Sequence, residues 1–147
     1  MYEHTQRGYL HYLLFFMATG STVFVASGRV PIGVAAAVLI SSGVFVLLGL
    51  SIAALTTRCD RETLTIGFGP IPLIKRQIRV RDIHAARAAQ SSWIDGWGIH
   101  WVPGRGWTWN IWGFECVELE TSAGSIRVGT DDAPGLVAFL TPLISAS

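Results

Sequence analysis

Hydrophobic and polar positions follow one rhythm up to about residue 57 and another beyond it. Residues 30–57 carry no charge, and 32–55 is almost wholly apolar. As a helix that core would rise roughly 36 Å, against a hydrocarbon layer of about 30 Å. A compact soluble domain has no interior for so long an apolar cylinder, so the stretch reads as a transmembrane helix. Residues 9–27 form a second uncharged run, just long enough to span. A cleaved signal peptide is its rival, because Arg7 precedes the run and small residues close it. The connection 28–31 leaves room only for a tight turn. The expectation is a helical hairpin over 1–57, with helices at about 9–27 and 32–55, and a separate polar domain over 58–147. Small residues recur every four positions: Ala18, Thr22 and Ala26, then Gly33, Ala37 and Ser41, then Gly49 and Ala53. Such stripes let helices approach closely, either within the hairpin or against another protein.

Beyond residue 57 the period becomes two, the signature of strands. Leu64, Ile66 and Phe68 alternate with Thr63, Thr65 and Gly67. Ile74, Ile78 and Val80 fall on one face of the next segment. Residues 97–102 and 107–112 flank a Pro-Gly-Arg-Gly loop and read as a hairpin. Residues 115–121 and 125–130 are two more strands, with Val117, Leu119, Ile126 and Val128 inward. Residues 83–90 are ambiguous on pattern alone. Leu136, Phe139, Leu140 and Leu143 return at helical spacing, with Asp131 or Asp132 as cap and Pro134 in the first turn. Pro142 predicts a kink or a stop near Leu140. The polar domain is therefore expected to hold six or seven antiparallel strands and one amphipathic helix.

Charge orients this plan. Of the 147 residues, 14% are charged, against about 25% in ordinary soluble proteins. The deficit sits in the first 57 residues, where only Glu3, Arg7 and Arg29 are charged. Arg29 lies in the helix connection, whereas Arg7, Arg58, Arg61, Lys75, Arg76, Arg79 and Arg81 lie on the other side. The positive-inside rule then puts both termini and the polar domain in the cytoplasm. A net charge of +1 suggests no nucleic-acid partner. Cys59 and Cys116 match no metal spacing and are too few for a disulfide framework.

Candidate chemistry is sparse. All six tryptophans, Trp93, Trp97, Trp101, Trp107, Trp109 and Trp112, fall within twenty residues of one another. Six large rings exceed what a small domain's core needs. Some are expected on a surface, as a partner patch or a membrane-interface belt, with Trp107, Trp109 and Trp112 favoured. Ordinary core and cross-strand stacking is the competing reading. Lys75, Arg79 and Arg81 share the outer face of one strand and are candidates for anionic lipid; a solvated strand face explains them as well. His84, His100 and Asp95 are the residues from which a catalytic site would have to be drawn. No nucleotide-loop, zinc-protease or nucleophile-elbow pattern occurs, so no catalytic residue, metal or cofactor is assigned.

The order of residues in the second half carries a resemblance. Gly96-Trp97-Gly98-Ile99-His100, Pro103, Gly106-Trp107-Thr108-Trp109-Asn110 and Gly113 are followed by Val117-Glu118-Leu119 and Arg127-Val128-Gly129-Thr130-Asp131. This resembles bacterial pleckstrin-homology-like (PH-like) membrane proteins, which carry two N-terminal transmembrane helices and are largely without an assigned function. The resemblance implies an α+β membrane protein: a transmembrane hairpin, then a small seven-stranded antiparallel β-barrel plugged by the C-terminal helix. It also tips 83–90 toward strand, and it implies a bacterial inner-membrane location. The functional expectation is a non-enzymatic protein-interaction domain, an accessory or assembly subunit with a protein partner or homo-oligomer in the lipid bilayer. A sensor of anionic lipid headgroups and an unrecognised membrane enzyme are the alternatives.

Overall fold

The computed structural model describes residues 1–70, 74–93 and 96–145. It is an α+β structure of three helices and two sheets. The chain opens with strand β1 (Tyr2–Arg7), then helices α1 (Leu10–Ala26) and α2 (Ile32–Ser51). Strands β2 (Ala54–Cys59), β3 (Thr63–Phe68) and β4 (Ile74–Arg79) follow. A 3-10 turn at Val80–Asp82 leads to β5 (Ile83–Gln90), β6 (Gly98–Val102), β7 (Gly106–Asn110), β8 (Glu115–Thr121) and β9 (Gly124–Gly129). Helix α3 (Ala133–Ser145) ends the described chain.

The polar start of the chain is a strand. β1 pairs antiparallel with β2, from Tyr2 opposite Cys59 to Arg7 opposite Ala54. The two apolar helices are thus an insertion between two neighbouring strands, and both leave the same end of one sheet. α2 stops at Ser51 rather than reaching residue 55. The reason is Leu55 and Thr57, which point into the core and pair with Phe68 and Ile66. A strand ladder takes the last apolar residues from the helix. β1 and the start of β2, on the hairpin side of the 57/58 boundary, therefore hydrogen-bond as part of the sheet.

α2 has 20 residues and is long and apolar enough to cross a membrane. α1 has 17 and rises about 26 Å, shorter than expected. The helices meet through Ala18, Ser42 and Gly49, all buried. A Cβ on Gly49 would come within 2.6 Å of the Phe15 ring, so any larger residue there has to displace that ring. Of the expected stripe on the second helix, Gly33, Ala37 and Ser41 are exposed; Ser42, one residue on, is covered instead.

The first sheet has the order β1-β2-β3-β4, the second β5-β8-β9-β7-β6. Their facing sides hold the core: Leu55, Leu64, Ile66, Phe68 and Ile78 from one, Trp109, Val117, Leu119, Ile126 and Val128 from the other. Leu136 and Leu140 of α3, both fully buried, complete it. Each such side chain contributes roughly 1.5–3 kcal/mol by burial. α3 lies against β5 and β8. Asp132 caps it, its Oδ1 accepting the Gly135 N–H at 3.1 Å. The helix continues through Pro142 to Ser145 instead of breaking near Leu140. Pro142 stands one turn from the end, where Leu143 and Ile144 still pack on the core.

The expected closed barrel of seven antiparallel strands is not formed. Nine strands are present among the described residues, and β7 runs parallel to β9. No described pairing joins the two sheets. The 3-10 turn after β4 ends that ladder, and β1 occupies the edge of β2. Among the described residues β1 and β4 are the outer strands of the first sheet, and β5 and β6 those of the second.

Candidate functional site

The fold sends the six tryptophans to three different places. Trp109 is 6% exposed and belongs to the core, against the Phe68 ring at 5.8 Å between centroids. The expectation that Trp109 is exposed is therefore overturned. Its neighbours across the sheet, Ile99 on β6 and Val128 on β9, fix it on the inward face.

A second group follows the base of the helices. Tyr9, the cap residue of α1, meets Trp112 edge-on at 5.5 Å. Trp112 stacks on Trp97 at 4.8 Å and 20°. Trp97 touches Trp93 at 5.6 Å, and Trp93 touches Phe114 at 5.3 Å. Trp112 is half-buried by this stacking, so it is not the exposed ring that the sequence favours. Trp93 is 75% exposed. Trp112 and Phe114 also line a cavity of about 420 Å³ together with Gln6, Arg7 and Tyr9. Gln6 is held there by its Nε2 donating to the Trp112 carbonyl at 2.8 Å.

The third group is Trp101 and Trp107, which pair across β6 and β7. Trp107 lies beside Ile126 on β9, so both rings are on the core-facing side of the second sheet. They stay exposed: Trp101 is 58% exposed, Trp107 43% and Ile99 38%. Ile74 shows the same on β4. It sits opposite buried Phe68, on the inner face, yet is 50% exposed. The inner faces of two edge strands are bare where a closed barrel would bury them.

The basic residues do not converge. Lys75 and Arg79 share the outer face of β4, but Arg79 pairs with Thr63, about 17 Å along β3 from the helix end. Arg79 and Arg81 both approach Asp82, at 3.5 and 3.9 Å. Their charge is partly answered within the chain. Arg76 is half-buried on the opposite, inner face, as the alternation requires.

The residues considered for catalysis are kept apart. His84 is on β5 and His100 on β6, the two edges of the second sheet, about 19 Å across four strand spacings. His84 Nε2 bonds the Ser122 hydroxyl at 3.1 Å. Asp95 lies outside the described residues. Among the described residues, no group of three His, Cys, Asp or Glu is arranged to hold a metal ion. Asp131, the other candidate cap, contacts His4 instead.

Tyr2, Cys59 and Asp60 have shifted acidities. Burial, then the hydrogen bond to Asp132, raises the Tyr2 phenol well above its ordinary value. Burial, then nearby Asp60, pushes the Cys59 thiol up to about 11. The backbone N–H groups of Thr63 and Glu62 hold the Asp60 carboxyl below its ordinary value. All three are structural tethers of β1, β2 and the β2–β3 turn. An unreactive thiol fits this setting, as reactivity needs the thiolate.

The residues that sequence reasoning missed are Phe114, Ile74 and Ile99, whereas Tyr9 is legible there as one of the tyrosines that crowd a helix end. Tyr9 and Phe114 are over a hundred residues apart and meet around one cavity through the fold alone. Ile74 and Ile99 sit at inward strand positions, and only the open edges expose them. Compared with protein-family models and with curated proteins, the chain matches none.

Proposed function

We propose that this chain is a non-enzymatic integral membrane protein presenting a PH-like interaction domain, an accessory or assembly subunit of a membrane complex. In this reading α1 and α2 cross the bacterial inner membrane together as a hairpin. Both termini and both sheets lie in the cytoplasm. Support comes from the length of α2 and from the pairing of β1 with β2, which holds the two helix roots side by side. The flanking charge agrees: Arg7 and Arg58 stand on the sheet side, against Arg29 alone in the connection. Two facing sheets with a C-terminal helix support the PH-like reading.

The observation that carries the interaction is the bare inner face formed by Ile99, Trp101 and Trp107. Adjacent large apolar rings on one uncovered strand pair cost solubility unless something covers them. β6 is also an edge strand with free main-chain groups, a template on which an extended segment can pair. A protein partner satisfies both at once. The competing reading, a sensor of anionic headgroups through Lys75, Arg79 and Arg81, has less support, because Arg79 is far from the helix roots and shares Asp82 with Arg81.

The test is purification of the full chain in mild detergent, followed by native mass spectrometry. Partner chains or several copies should accompany it, and Trp101→Ala should reduce them. A single bare copy, unchanged by Trp101→Ala, overturns the proposal.

A further inference from the structure

We infer that Tyr9, Trp112, Trp97, Trp93 and Phe114 form a membrane seat, a row of rings by which the polar domain rests in the headgroup layer of the bilayer that α2 enters. The inference rests on the reading that the two helices span a membrane. It goes further in dividing the tryptophans between two surfaces, with Trp93, Trp97 and Trp112 for lipid and Trp101 and Trp107 for the partner.

Position is the first argument. Tyr9 precedes α1 directly, and Trp112 is in ring contact with it. Trp112 and Phe114 line one cavity with Arg7 and Tyr9, so they stand at the level where the chain enters α1. Trp93 touches Phe114 and Trp97 and is one ring further along that row. An isolated exposed tryptophan on a soluble domain needs no explanation. This one belongs to an unbroken series of ring contacts that begins at Tyr9, directly before an apolar helix.

Tether length is the second. The Gly8 N–H donates to the Ala53 carbonyl at 3.1 Å, and Arg7 pairs with Ala54. Ladder bonding thus runs up to the helix roots, and two residues separate α2 from β2. A Cβ on Gly8 would meet the Ile111 side chain and the Ile52 carbonyl, each at 2.9 Å, so the root packs directly on the segment leading to Trp112. With so short a link the domain stays within reach of the headgroups. Surfaces beside the roots are then always presented to lipid.

Chemistry is the third. Tryptophan and tyrosine bury an apolar ring while keeping a polar tip wet, which is the balance the interface rewards. Arg7 stands in the same cavity wall, where its guanidinium meets lipid phosphate. Trp101 and Trp107 have no described ring contact with this row, so they are left for the partner surface.

The experiment uses site-directed spin labels on the full chain reconstituted in phosphatidylethanolamine–phosphatidylglycerol vesicles. Cys59 and Cys116 are buried, so a label goes to the introduced thiol. Labels at Trp93→Cys, Trp101→Cys and Ile40→Cys are probed by collision with oxygen, which concentrates in lipid, and with a nickel chelate, which stays in water. The oxygen-to-nickel collision ratio should be several-fold higher at Trp93→Cys than at Trp101→Cys. Phe114→Cys gives an independent reading of the same row. Equal, water-like ratios at positions 93 and 101 overturn the seat. So does low access to both reagents at 93, which would mean protein covers it. Ile40→Cys, in the middle of α2, reports the span separately. A water-like ratio there removes the anchor itself and the seat with it, whereas a lipid-like ratio there with a water-like one at 93 removes the seat alone.

Discussion

The Tyr2 hydroxyl donates to Asp132 Oδ2 at 3.0 Å, joining the first strand of the chain to the cap of its last helix. Asp132 uses its other oxygen for the Gly135 N–H. One carboxylate therefore holds α3 and β1 together. Tyr2→Phe keeps the ring beside Phe139 but loses the donor. The folded protein should lose about 1 kcal/mol, read as a lower melting temperature in detergent. Asp132→Ala removes both bonds and should cost more than Tyr2→Phe.

Stability should fall at alkaline pH. The Tyr2 phenol and the Cys59 thiol have folded values raised above their unfolded ones, in both cases chiefly by burial. Raised values stabilise while the groups are protonated. That contribution is complete below the unfolded thiol value of 9.0 and is lost as pH climbs through about 11. The melting temperature should be level up to about pH 9 and decline above it. In Tyr2→Phe the decline should be shallower.

Gly106 and Gly104 share a left-handed backbone, with φ of +79° and +75°, but differ in what surrounds them. A Cβ on Gly106 would overlap the Ser125 carbonyl, whereas nothing lies near Gly104. Gly104→Ala should cost about 1–2 kcal/mol from the backbone alone. Gly106→Ala should cost clearly more, because β7 must also move off β9. Denaturant midpoints of the two variants separate conformational strain from close approach.

Trp109 and Trp101 sit on one face of the same hairpin with opposite surroundings. Trp109→Ala should cost about 3–5 kcal/mol by emptying the core beside Phe68. Trp101→Ala should change stability by about 0.5 kcal/mol or less while weakening partner recovery. A large loss of stability in Trp101→Ala would mean that this ring is covered by its own domain.

Deleting residues 1–7 should damage the polar domain, not merely the lead-in to α1. It bares the edge of β2 along six paired positions and removes the Tyr2 and Gln6 bonds. Loss of a cooperative melt, with aggregation through the exposed β2 edge, is the expected outcome. The same physics weighs against cleavage within the first apolar run, which would strip β1 from the sheet.

The element types were written in local chemistry. Charge-free runs read as apolar helices, and alternation at Leu64, Ile66 and Phe68 or at Val117 and Leu119 read as strands with the correct inward faces. The Pro-Gly-Arg-Gly loop read as a hairpin, and Asp132 as one of two candidate caps. These features depend on neighbours within a few residues. Which edges pair depends on distant ones. Alternation says which way Trp101, Trp107 and Ile74 point, but the assembled sheets, which place β4 and β6 on the outside, decide that these rings and Ile74 stay exposed. Likewise β1 has no strand signal that outweighs the helix after it; its place comes from β2, more than fifty residues on. The six tryptophans were legible as surplus to a core because volume is a property of composition. Their division among core, helix root and open edge was decided by long-range packing, since only the assembled sheets determine which inward positions have something to face.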